Sequence, residues 1–343
     1  MRRFRLLTLA TIALSVICLV PAAAMAQPSK TGEFITTFSK RSPLSEKKEL
    51  LNRLGKKDPG KDYDLASESF MVYVPHDYDA SVPHGLIVWM NYKDVDTTPK
   101  SLQPLLDKSH TIFVVSKSAG QEDWIRAGLA LDAVQNIKQL YTIDEKRVYL
   151  FALLQPDQVI GQKMGLSYAD AFTGFVYIWN QRYFRPIPIP GEPGTSYAVS
   201  FSKPNLPVYN IAKTRKHVLI GDARAGGTDK LILKAYEQDG FHSMFYTEAA
   251  FDDLHYPSIQ TGWFEKTMQF LDAPDQAVAS THPTETTRPA ISEPQRMLNL
   301  AKTYLGMKNY PVARTKLQDV IRKFPDDPAA AEAKQLLEQI SGK

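Results

Sequence analysis

Apolar positions along this chain fall into two textures. Residues 69–75 read as a half-buried strand, and 85–90, 111–116, 148–153 and 217–221 are short continuous apolar runs. Such runs suit strands covered on both faces, the environment of a parallel sheet. Between them, residues 99–108, 124–141, 158–167, 229–238 and 258–271 carry helical periodicity. In 124–141 the residues Ile125, Leu129, Asp132, Ala133, Asn136, Ile137 and Leu140 trace one mainly apolar stripe. Alternating strands and helices of these lengths predict a mainly parallel α/β sheet with helices on both faces.

The texture changes at both ends. Residues 27–62 are polar and lysine-rich with one amphipathic segment closed by Gly55, which predicts a short helix. Residues 273–290 have almost no bulky apolar side chains, so they bury too little to offset ordering and read as a linker. From 291 onward Met297, Leu300, Ala301, Tyr304, Ala313, Leu317, Val320 and Pro325 recur at the spacing of a tetratricopeptide pattern, with 328–340 as a third helix. Ala301 and Ala313 would let two antiparallel helices approach closely, and Pro325 would end the second. One repeat plus a helix falls short of the roughly three that stand alone, so this all-α tail is expected to lean on the α/β domain (63–272) or on a protein partner.

Residues 1–26 combine Arg2, Arg3 and Arg5 with an apolar run from Leu6 to Val20 and a small-residue end at Ala24 and Ala26. That is the form of a cleavable secretory signal, which implies export to the periplasm or medium and no membrane span after cleavage. The formal charge of +4 falls to +1 once the leader's three arginines are removed. No broad basic field is then expected, and nucleic acid is not a predicted partner. Cys18 is the only cysteine and lies in the leader. An exported chain without disulfides must rest on a packed core.

The centre of the chain resembles the α/β-hydrolase superfamily, in particular its secreted esterase and polyhydroxybutyrate-depolymerase-like branch. The resemblance is carried by the helix at 124–141, the IDEKRVYL segment at 143–150 and the stretch Tyr168 to Gly174. It implies a G-x-S-x-G turn after that strand, presenting a serine nucleophile. Here the five residues are Ala152, Leu153, Leu154, Gln155 and Pro156. Leu154 stands where the serine belongs, and Ala152 and Pro156 replace the glycines. The oxyanion loop expected after residues 88–90 reads Asn91-Tyr92, and the position of the orienting acid holds Arg224, with Asp222 two residues away as a possible acid. Only the base has a counterpart: His255, in the loop before the last helix of the domain, is the remnant catalytic candidate.

Several weaker signals have structural explanations. Ser167 and Ser196 match a relaxed G-x-S-x-A, but neither follows an apolar strand. Ser45-x-x-Lys48 matches the start of a penicillin-binding signature without its partner motifs, and a helix-capping serine beside an exposed lysine accounts for it. Asp252, Asp253 and His255 are too few for a metal site, so no metal or cofactor is predicted. Trp179, Arg182, Tyr183, Phe184 and Arg185 offer flat apolar faces and cations, and are the candidates for binding a small molecule.

The sequence therefore predicts an exported, catalytically degenerate α/β-hydrolase-fold protein that binds a ligand or a protein. Two alternatives stay open: an active esterase with a relocated nucleophile and His255 as base, and a structural protein acting through its helical tail.

Overall fold

A computed structural model describes residues 30–91, 94–117, 122–153, 159–179, 181–189, 194–197, 199, 201–222, 228–250, 259, 261–274, 292–306 and 310–340. Eight strands form one sheet: β1 (Gly32–Thr37), β2 (Ser69–Val74), β3 (His84–Met90), β4 (Thr111–Ser116), β5 (Ile143–Leu153), β6 (Gly174–Ile178), β9 (Lys216–Asp222) and β10 (Met244–Ala249). Their order is β1-β2-β4-β3-β5-β6-β9-β10. Only β2 runs against its neighbours, pairing antiparallel with β1 and β4, while β4, β3, β5, β6, β9 and β10 pair in parallel. A separate hairpin pairs β7 (Ile187–Pro188) with β8 (Ser196–Tyr197). This is the mainly parallel sheet that the apolar runs predict.

The runs are continuous because successive side chains feed two cores. Leu86, Val88, Leu150, Ala152, Phe175 and Tyr177 face one layer, built from α1 (Lys47–Leu54), α3 (Asp123–Leu140), α4 (Ile160–Ser167), α5 (Leu206–Lys213) and α6 (Thr228–Gln238). Ile87, Trp89, Tyr149, Phe151, Val176 and Ile178 face the other, built on α2 (Gln103–Lys108) and α7 (Thr261–Asp272). The strand at 69–74 departs from the half-buried expectation. Residues 70–74 are all buried, because β1 covers one edge and helices cover both faces.

Residues 32–37, within the polar segment at 27–62, supply the edge strand β1, and α1 packs its Leu50, Leu51 and Leu54 into the first core. The alternation of an exposed edge strand (Phe34 inward, Ile35 outward) is a weaker signal than a buried run. Ser45 is no helix cap either: Glu46 holds that position, and Ser45 is buried against α3.

α3 is buried around most of its circumference rather than along one stripe. Leu140 is exposed, while Asp132 and Asn136 are buried. Asp132 accepts hydrogen bonds from Ser42 N at 2.7 Å, Tyr63 Oη at 2.6 Å and Ser45 Oγ, and Asn136 donates to Lys40 O at 2.7 Å. The polar residues of the expected stripe thus bind the N-terminal segment to the helix.

The tail forms α8 (Glu293–Gly306), α9 (Tyr310–Lys323) and α10 (Pro328–Gln339). Ala301 and Ala313 are fully buried, and Leu298, Ala301, Leu317, Val320, Ala329, Ala333 and Ile340 share a core of their own. The leader (1–26) and nearly all of the expected linker lie outside the described residues. Among the described residues no helix is long and apolar enough to cross a membrane.

Candidate functional site

In open α/β sheets, ligands bind beyond the carboxyl ends of the strands. At that edge Ala152 of β5 lies in register with Met90 of β3 and Tyr177 of β6, and Leu153 lies beside Ile178. The connection from β5 to α4 therefore leaves a central strand and enters a helix, as a nucleophile turn would. Ala152 and Leu153 are buried, whereas Leu154 and Pro156 lie outside the described residues. So do Tyr92, Arg224, Asp252, Asp253 and His255. Asn91 is buried, and its carbonyl accepts from Arg126 at 3.5 Å.

The end of β9 holds a carboxylate group that sequence reading only half located. Asp222 is buried at the strand's last position, and Asp229, one residue into α6, is buried nearby. A Cβ added at Gly221 would lie 2.8 Å from Asp229 Oδ2 and 2.6 Å from Tyr246 Oη. Those two side chains therefore close over the strand where only glycine leaves room. Burial, then the carboxylates of Asp222 and Glu248, push the Asp229 carboxyl up to about 7, against the Gln181 backbone N–H and Arg182, which favour its ionised form. Tyr246 donates to Glu248 Oε1 at 2.8 Å, and Lys230 pairs with Glu248 at 3.5 Å. Asp229 thus holds or releases a proton near neutrality. It escaped the sequence reading because an acid in the first turn of a helix is ordinarily a dipole partner.

The small-molecule candidates are divided between the two cores. Trp179 packs with Ile178 and Ile220 on the α7 side, whereas Tyr183 is buried on the opposite side against Tyr236. Tyr183 Oη donates to Asp239 at 2.7 Å, Arg185 Nε donates to the same carboxylate at 3.2 Å, and Phe184 packs on Tyr183 and Tyr209. Arg182 donates its backbone N–H to Gln162. Trp179 has a left-handed backbone, φ 61°, a conformation costing about 1–2 kcal/mol outside glycine. Its N–H donates to Ile220 O at 2.8 Å, and Gln181 Nε2 donates to the same carbonyl at 2.9 Å. These bonds fix the turn that carries the chain from one face to the other.

The two alternative serines stand apart from this edge. Ser167 is the last residue of α4, about 10 Å along the helix from Ile160. Ser196 belongs to the β7–β8 hairpin. Neither hydrogen-bonds to a histidine among the described residues.

His217 is buried and structural. Its Nε2–H donates to Ala212 O at 2.8 Å and its Nδ1 accepts from Tyr177 Oη at 2.9 Å. Burial lowers its pKa to about 4, so its contribution to stability is full above about pH 6.5 and is lost as pH falls towards 4. Asp229 has the opposite sign: its raised pKa contributes below about pH 4, and that contribution is lost as pH rises through 7. Between pH 4 and 6.5 the two oppose each other. In Asp229→Asn, stability relative to the parent should rise by about 2–3 kcal/mol from pH 4 to pH 7. Urea unfolding across that range measures it, and a pH-independent difference would refute the Asp229 assignment.

No protein-family model matches the sequence, and no curated protein does. Solved structures with related folds include a thermostable esterase (12% identity, TM-score 0.40, 63% of this chain and 60% of that one). Others are a hypothetical protein from Pseudomonas aeruginosa (11%, 0.43, 76% and 99%) and Thermogutta terrifontis esterase 2 phosphonylated by cyclosarin (10%, 0.38, 64% and 95%). The match spans three fifths of the thermostable esterase's length. At these identities and scores the neighbours say nothing of activity, and the fold rests on the strand order above.

Proposed function

We propose that this α/β-hydrolase-fold protein is exported and binds a ligand or a protein partner without hydrolysing esters. The observation that carries the reading is the connection between β5 and α4, where the chain passes from Leu153 to Ile160. Its residues are Leu154, Gln155, Pro156, Asp157, Gln158 and Val159. No serine, threonine or cysteine is present to attack a carbonyl carbon. The carboxyls of Asp222 and Asp229 lie at the end of β9, the edge where open α/β sheets bind ligands.

Purified protein is expected to show no turnover of p-nitrophenyl acetate or butyrate above the buffer rate, and no serine labelled by a fluorophosphonate. Leu154→Ser alone should restore nothing, since the glycines of the turn and the oxyanion loop are missing as well, and oxyanion donors are commonly worth about 10²–10³ in rate. Turnover that disappears in His255→Ala, or labelling of Ser167 or Ser196, would replace this reading with an active hydrolase using a relocated nucleophile.

A further inference from the structure

Three cations gather at the carboxyl edge of the sheet, where α3 and α4 begin. Lys56, just after α1, pairs with Asp123 at 3.4 Å. Arg126 pairs with the same carboxylate at 2.9 Å and donates to Asn91 O, just beyond β3, at 3.5 Å. Lys163, at the end of the first turn of α4, stands within electrostatic reach of both Lys56 and Asp123. We propose that this cluster binds the dianionic phosphate group of a small phosphorylated molecule or of the free ion. The assignment names a ligand for the binding reading above and rests on it.

Lys163 is the group that asks for a ligand. The residue is 8% exposed, yet it makes no hydrogen bond or ion pair among the described residues. Its stem is buried while its Nζ keeps contact with solvent, and Lys56, whose side chain is 42% exposed, opens the cluster on that side. A desolvated ammonium without a partner is costly. Burial, then Lys56, lower its pKa, with Asp123 opposing them. Lys163 also stands at the unfavourable end of its helix: a first turn favours anions, and α4 has neither an acidic residue nor a side-chain cap there. An anion held between Lys163 and Lys56 offsets both costs.

The surrounding charges add up in an anion's favour. The carboxylates beside the cluster are Asp123, shared by Lys56 and Arg126, and Glu122, which accepts from Trp124 Nε1 at 2.9 Å. On α1, Arg53 and Glu49 pair with each other, and Arg53 pairs with Asp170 beyond the other end of α4. Among the described residues three cations thus face two carboxylates. The amino ends of α3 and α4, neither with a side-chain cap, add about half an elementary charge each. The resulting excess of about +2 matches a phosphate dianion. The planar fork of Arg126 is engaged by Asp123 and Asn91, whereas the ammonium groups of Lys56 and Lys163 meet a tetrahedral oxyanion from any direction. Phosphate therefore suits the cluster better than a carboxylate.

Calorimetric titration of the full chain in low-salt buffer with inorganic phosphate and glycerol 1-phosphate tests the assignment, with acetate and ethylammonium as controls. Phosphate or its ester should bind saturably, and the tighter of the two shows whether the free ion or the ester is the ligand. Lys163→Met keeps the buried stem and removes the charge, so it should weaken binding about ten-fold or more. Its urea midpoint should be no lower than the parent's, because an unpaired buried charge is lost. Lys56→Gln, at an exposed position, should weaken binding about three-fold or more. No saturable binding of either phosphate, unchanged affinity in either variant, or equal binding of acetate or ethylammonium would overturn the proposal. Ester turnover with phosphate still bound would overturn only the non-hydrolytic reading, and absent turnover without phosphate binding would overturn only this assignment.

Discussion

Gly165→Ala should lower stability by about 3 kcal/mol or more and the Tm by about 10 °C. Gly165 lies on the buried α4, and a methyl group there would fall on the hydroxyl of Tyr177. That hydroxyl has nowhere to retreat. Tyr177 is fully buried on β6, donates to His217 at 2.9 Å and stacks on Phe175 and Tyr236. Either α4 lifts from the sheet or the buried hydrogen bond breaks, and both are costly. Removing the hydroxyl tests the cause. Tyr177→Phe alone should destabilise by leaving His217 Nδ1 without a donor, yet it should relieve part of the Gly165→Ala penalty. If the two losses simply add in thermal unfolding of the double variant, the collision is not the source.

The second large effect is expected at Asp132. Its carboxylate is fully buried and accepts from Ser42 N, Ser45 Oγ and Tyr63 Oη, with Arg41 at 3.8 Å. Asp132→Ala strands three buried donors at once, for an expected loss of about 3–5 kcal/mol. Asp132→Asn keeps the shape and one acceptor oxygen, so it should fall between alanine and the parent. Because the donors belong to residues 42–63, limited proteolysis should cut the N-terminal segment in Asp132→Ala well before global unfolding. Parental resistance there, or an unchanged urea midpoint, would show that other contacts hold the segment.

Both residues show where sequence patterning stops being informative. Asp132 sits in an apolar stripe and reads as an imperfection until the partners 69 to 90 residues away are known. Gly165 reads as half of a weak serine motif until Tyr177, twelve residues on, is seen to fill the space beside it. The candidate site divides in the same way. That the residues from Ala152 to Pro156 include no serine, threonine or cysteine is legible in the sequence, since it holds wherever those residues lie. The carboxyl held near neutrality was not legible, because burial and the neighbouring acids Asp222 and Glu248 give Asp229 its character.

The sequence by itself determined the sheet. Continuous apolar runs of five or six residues can satisfy their side chains only when covered on both faces, and helices of matching length lie between them to do so. It also determined that the stretch from Ala152 to Pro156 contains no serine, threonine or cysteine. Tertiary structure alone decided that residues 32–37 join the sheet as its edge, because an edge strand needs only one inward-facing side and leaves a faint pattern. It decided too that the aromatic candidates Trp179 and Tyr183 part to opposite cores: a left-handed backbone at one residue redirects the chain, and no spacing of side chains records that turn.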